Sequence, residues 1–123
     1  MLVDIYRKGW ALRYLREAID EIKMAKKDSR AFGLVIEALR KAQTAVYYSL
    51  GEPLFIERVV EEALEEKTLP ENPILRCLVD IERSIKRLES MQEMADRNDL
   101  IIKESDRIIF IASKIVDLLA SGD

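Results

Sequence analysis

Histidine is absent from this 123-residue sequence, and with it go the usual general base near neutral pH, the commonest zinc ligand and every serine or cysteine triad that works through imidazole. Most hydrolytic mechanisms are excluded on that ground. There is one cysteine, Cys77. It has no partner for a disulfide within the chain, and its place between Arg76 and Leu78, next to an apolar helical seam, reads as a small core residue rather than a nucleophile. With 4 glycines and 3 prolines, the chain offers no glycine-rich phosphate loop and few helix breakers. No segment alternates as a strand, nothing resembles a signal peptide, and no apolar run reaches the length of a membrane span. The formal charge of −3 gives no general attraction to phosphate, which argues against a strongly basic nucleic-acid module. These absences predict a soluble, cytoplasmic protein with no assigned catalytic, cofactor or metal residue.

What is present is 49% apolar and 35% charged residues, set in long periodic segments rich in Ala, Glu, Lys, Leu and Arg. That is the composition of an all-α protein. One domain spanning the whole chain is expected, long enough to bury a substantial core. High Glu, Lys, Arg and Ile with few amides is compatible with a thermophilic source.

The chain is organised around Asp28 to Gly51. At about 100° per residue, Ala31, Val35, Ala38, Ala42, Ala45 and Ser49 form one stripe, and Phe32, Ile36, Leu39, Val46 and Leu50 form a second beside it. Together they span an apolar arc of roughly 200°, about twice that of a helix lying on a core surface. Such a helix must be covered on two sides. The alanine stripe lets a neighbouring backbone come close and the larger stripe fills space toward more distant neighbours, so this is the central helix of a bundle.

A first helix is predicted from residue 2 to about 27, with Ile5, Leu12, Leu15, Ile19 and Ile22 inward and Arg13–Glu17 and Arg16–Asp20 as opposite charges at i, i+4. Asp28 or Ser29 is expected to cap the central helix, and Gly51 to end it in the left-handed conformation. Pro53 suits the first turn of a short acidic third helix ending near residue 67, with Phe55, Ile56, Val59, Val60, Ala63 and Leu64 inward. The segment Thr68 to Pro73, with an Asn72 cap, is the clearest break. A fourth helix follows to about residue 95 through Ile74, Leu78, Ile81, Ile85, Leu88 and Ala95, interrupted by Gln92, and a last one runs from about 100 to 120, ending at Ser121 and Gly122. The expected fold is a four- to five-helix bundle built from two antiparallel helical hairpins joined by the short helix. Its core should include Leu12, Leu15, Ile19, Val35, Leu39, Ala42, Val46, Val60, Leu78, Ile81, Ile85, Ile108, Ile115 and Leu119.

Carboxylate chemistry is the remaining catalytic route. Glu61-Glu62-Ala-Leu-Glu65-Glu66 followed by Glu93-Met-Ala-Asp96 resembles the magnesium-binding pattern of the MazG-type all-α nucleoside triphosphate pyrophosphatases. The resemblance implies Glu61, Glu62, Glu65, Glu93 and Asp96 as ligands of hard divalent ions. A turn near Pro70 places Glu62 and Glu93 roughly 20 Å apart along the helix axes, however, which predicts a solvated acidic face unless a second subunit contributes. Lys41 to Glu52, KAQTAVYYSLGE, is similar in texture to a helix of HEPN-type bundles, which implies a catalytically silent relative because the histidine of the RNase members is missing. Arg76, Arg83, Lys86 and Arg87, with Lys103 and Arg107 near them, form a basic cluster that RNA could use. Asp80, Glu82 and Glu89 interrupt it, so intrahelical ion pairs are the expected reading.

The row Val3, Tyr6, Trp10 and Tyr14 lies roughly 150° around the first helix from its core seam. An exposed aromatic strip marks a contact surface, and aromatics dominate interface energy. The row either packs inside the monomer beneath the short helix or forms a self-association interface, which Tyr47, Tyr48 and Phe110 would extend. The second is the expectation here: a non-enzymatic interaction module, a homodimer or the partner of another helical protein, in contact with neither membrane nor nucleic acid.

Overall fold

The computed structural model describes residues 5–28, 33–66, 68–91 and 98–120. They form five helices, α1 (Ile5–Lys27), α2 (Leu34–Leu50), α3 (Pro53–Glu65), α4 (Pro73–Met91) and α5 (Asn98–Ala120). No strand occurs among the described residues.

Cross-helix partners give the directions. Glu21 on α1 pairs with Lys41 on α2, while Trp10 meets Tyr48, so the two run antiparallel. Arg107 on α5 reaches Asp80 on α4, and Arg87 reaches Glu104, which makes α4 and α5 the second antiparallel hairpin. The short α3 joins the two.

α2 packs most extensively on α1, next on α5, and also meets α3 and α4. The reason lies in side-chain size. Ala38, Ala42 and Ala45 on α2 are fully buried, as are Ala11 and Ala18 on α1 and, nearly so, Ala112 on α5. With only a Cβ between them, these backbones approach closely. α4 is seated differently, through Ile81, Ile85 and Leu88, which fill the wider space toward Leu39, Ile101 and Ile108. Each such side chain contributes roughly 1.5–3 kcal/mol by leaving water. The core has two clusters. One holds the last turns of α1 and α4 and the first turns of α2 and α5, and the other holds the opposite helix ends with Val60 and Ala63 of α3.

Ten of the expected core residues, Leu15, Val35, Leu39, Ala42, Val46, Val60, Leu78, Ile81, Ile85 and Ile108, are buried. Leu12, Ile19, Ile115 and Leu119 are half-buried. On α5 the fully covered stripe runs through Ile101, Ser105, Ile108, Ala112 and Val116, which leaves Ile115 and Leu119 on its flank. Three expected inward residues are exposed instead: Ile5 at 82%, Phe55 at 60% and Ile74 at 48%. The first turn of α1 runs past the end of α2, so Ile5 has little to pack on. Phe55 sits one residue, about 100°, off the stripe that α3 buries. Ile74 lies in the first turn of α4.

The helix ends also differ in part. Asp28 closes α1, its N–H donating to the Met24 carbonyl at 3.1 Å, and α2 begins after Gly33 without a side-chain cap. Gly51 has φ 172°, extended rather than left-handed. Glycine is useful there because a Cβ would lie 3.3 Å from Ile56 Cδ1. Pro53 opens α3 as expected, and Asn72 Oδ1 caps α4 by accepting from the Ile74 and Leu75 amides at 2.9 and 3.1 Å. Val3, Ser29, Ala31, Phe32, Gln92, Glu93, Ala95, Asp96, Ser121 and Gly122 lie outside the described residues.

Candidate functional site

The i, i+4 spacing of Tyr6, Trp10 and Tyr14 stacks their rings along one face of α1. Tyr6 meets Trp10 edge-on at 6.3 Å, and Trp10 lies 5.7 Å from Tyr14. α2 completes the cluster with Tyr48, whose ring is 6.3 Å from Trp10 and stacks on Tyr14 at 5.9 Å. Burial first, then the neighbouring Tyr14, Tyr6 and Glu52, push the Tyr48 phenol up. Arg13 places its guanidinium 5.3 Å from the centre of the Trp10 ring and forms no ion pair with Glu17, the neighbour its spacing suggests. The cation–π contact takes its place.

The cluster is graded from inside to outside. Tyr14 and Tyr48 pack on the core, Trp10 is half-buried, and Tyr6 is 69% exposed. Tyr48 and Glu52 line both the recess beside Tyr6 and the larger cleft that holds Leu54. Leu54 is 70% exposed, so the apolar face continues from α1 onto α3. Phe110 stands apart on α5, with Lys114 over its ring at 5.3 Å. Tyr47 also leaves the row. It points to the other side of α2, because adjacent helical residues diverge by about 100°.

That other side opens into a cleft of about 670 Å³ between α2, α3 and α4. A polar network crosses its floor. Arg40 Nη1 donates to Glu82 Oε1 at 2.8 Å and to Gln43 Oε1 at 3.0 Å, while Arg40 Nη2 donates to Glu89 Oε1 at 2.7 Å. Gln43 Nε2 donates to Glu82 Oε1 at 2.6 Å. Burial would raise the Glu82 carboxyl, but the hydrogen bonds from Gln43 and Arg40 and the charge of Arg40 outweigh it and hold the group below its usual 4.5. Burial also opposes the Arg40 charge, and bonds to Glu82 and Glu89 more than offset it.

A pH dependence follows. Since the folded protein holds Glu82 below 4.5, the unfolded chain takes up the proton first as pH falls. The stabilisation is therefore complete above about pH 4.5 and is lost as pH drops through the folded value. Glu104, lowered chiefly by the hydrogen bond from Arg107, acts in the same sense. Glu21, raised by burial, acts in the opposite sense, stabilising at low pH and losing that contribution as pH rises. Glu82→Gln is expected to shallow the fall of the urea midpoint between about pH 6 and about pH 3. An unchanged slope would mean that the network carries none of the acid sensitivity.

Glu61 of α3 lines the cleft and, like Glu62, Glu65 and Glu66 just past the helix end, is exposed. Among the described residues no three Cys, Asp or Glu side chains gather closely enough to hold a metal ion. The basic face of α4 and α5 is threaded with acids: Arg107 pairs with Asp80 at 3.3 Å, Arg87 with Glu104 at 3.7 Å and Lys86 with Glu82 at 3.8 Å. Arg76 donates to the Pro70 carbonyl at 3.0 Å. Cys77 is half-buried against the core. Burial, and then Asp80, push its thiol up, against a smaller opposing pull from Arg107, so it is not an activated nucleophile.

No protein-family model matches this chain, and no curated protein or solved structure matches it either. Among the described residues no helix is long and apolar enough to cross a membrane. The cleft network is the feature that sequence reasoning missed. Its signal was Arg40 and Gln43, two polar residues at i, i+3 on a helix otherwise reading as a broad apolar arc.

Proposed function

We propose that this chain is a non-enzymatic interaction module that self-associates, as a dimer, through the aromatic face of α1 and α2. The observation that supports it is the outer end of the ring cluster, where Tyr6 is 69% exposed directly beside the half-buried Trp10. Rings already stacked lose little freedom when covered, and large aromatic anchors with a polar rim characterise energetic interfaces. The occupant we assign is a second copy. The rim carries Arg13 over Trp10 and Glu52 beside Tyr48, and a two-fold contact requires one patch to hold both signs.

Light scattering across a concentration series is expected to give the mass of a dimer. Tyr6→Glu, at an exposed helical position where folding is little affected, should weaken the dimer at least about 30-fold. Trp10→Glu should do the same, with helix content checked because that ring is half-buried. A monomer at every concentration, or a native mass that Tyr6→Glu leaves unchanged, would reject the assignment.

A further inference from the structure

α5 turns one face away from the bundle, and that face is self-complementary. Phe110 stands at its middle, 62% exposed, with Leu100 and Leu118 near its two ends at 51% and 74%. Between them the charges invert about the phenylalanine. Four residues before Phe110 is Asp106 and four after it Lys114, while seven before is Lys103 and seven after Asp117. All four are exposed, and offsets of four and seven keep them on the side of the helix that Phe110 occupies. A recess of about 590 Å³ beside the ring, walled in part by Leu100 and Lys103, leaves room for side chains from outside the chain.

We propose that this face is a second self-contact, in which the α5 helices of two copies pack antiparallel about a two-fold axis at Phe110. In that arrangement each residue meets the one equally far on the other side of the axis. Lys103 then faces Asp117 of the second copy, Asp106 faces its Lys114, and the two-fold repeats both pairs. Leu100 and Leu118, ten residues before Phe110 and eight after it, come within one helical turn of each other. A parallel pairing would instead set each charge against its own kind. The groups needed are available. Lys103 and Asp117 form no ion pair among the described residues, and Lys26 pairs with Asp106 through Oδ1 at 2.7 Å, which leaves the second carboxylate oxygen for a lysine across the contact. Arg107, the remaining cation on this side, is drawn toward α4 by Asp80 and held by Glu104 at 2.9 Å. The contact is separate from the aromatic face of α1 and α2 and does not depend on it. Its ion pairs are exposed and screened by salt, so it forms at low ionic strength and joins the aromatic dimers into larger species there.

The test is sedimentation velocity of the full chain carrying Tyr6→Glu, which disables the aromatic face, across a concentration series at about 20 mM and about 300 mM salt. Association is expected at low salt and should weaken at least about tenfold at high salt. Phe110→Ser should weaken it by at least as much, with helix content unchanged at so exposed a position. Lys103→Glu should weaken it at least about fivefold, because a substitution on a two-fold contact counts twice. Adding Asp117→Lys to Lys103→Glu should restore it. Those two positions lie about 21 Å apart along one helix, so the rescue has to come across the contact. A monomer at low salt, an association that survives Phe110→Ser, or a double charge swap no better than the single reversal would overturn the proposal. The aromatic face is read separately, by the effect of Tyr6→Glu on the otherwise native chain.

Discussion

Replacing Ala42 with leucine is expected to cost about 3 kcal/mol of folding stability and roughly 10 °C of melting temperature. Ala42 is fully buried in the cluster where α1, α2 and α5 meet through alanines. Three added heavy atoms there have no cavity to enter. They must push a neighbouring helix away, loosening the contacts of Ala11, Ala18 and Ala112 as well, or adopt a strained rotamer. Thermal unfolding followed by circular dichroism reads the effect. Glu37→Leu, an exposed position on the same helix, is the control and should change stability by no more than about 0.5 kcal/mol. Equal melting temperatures for the two variants would mean that the alanine stripe does not set the helix spacing.

The opposite change is the damaging one on the other side of the bundle. Ile85→Ala is expected to cost about 4 kcal/mol, and Ile85→Val about 1 kcal/mol. Ile85 is fully buried among Leu39, Ile81, Leu88, Ile101 and Ile108, where side-chain length spans the gap that separates α4 from its neighbours. Truncation leaves a void that these residues close only partly. Urea unfolding measures both variants, and their ratio matters more than either value. A truncation to alanine no worse than the truncation to valine would mean that α4 collapses inward freely and is not held by shape.

The two substitutions probe what was most legible in the sequence. Side-chain size along α2 announced both packing modes, since Ala38, Ala42 and Ala45 form one stripe and Leu39 and Val46 another. Periodicity fails where a helix outruns its neighbours, as at Ile5 in the first turn of α1, and Ile74 in the first turn of α4 is exposed as well. Phe55 shows the limit of stripe assignment on a short helix, where one residue of rotation decides which side chain is inside. The aromatic row was legible on α1, but its closure by Tyr48 was not. Tyr47 and Tyr48 are equivalent in α2's own pattern, and only the placement of α1 on one side and α3 and α4 on the other gives them different fates. The cleft was hidden for the same reason, because Gln43, Tyr47, Glu61 and Glu82 come from three helices whose rotations no single segment specifies.

The contact of α2 with every other helix also governs how the molecule breathes. Its central amides cannot open without separating both core clusters, so they should exchange with solvent deuterium only through complete unfolding. α3 buries only Val60 and Ala63 fully, and its amides should exchange through a cheaper local opening. Equal protection of the two helices would show that α3 is cooperative with the rest. If the difference is found, the helix that walls the cleft is also the one that can lift, and the cleft beneath it opens and closes on the folded bundle.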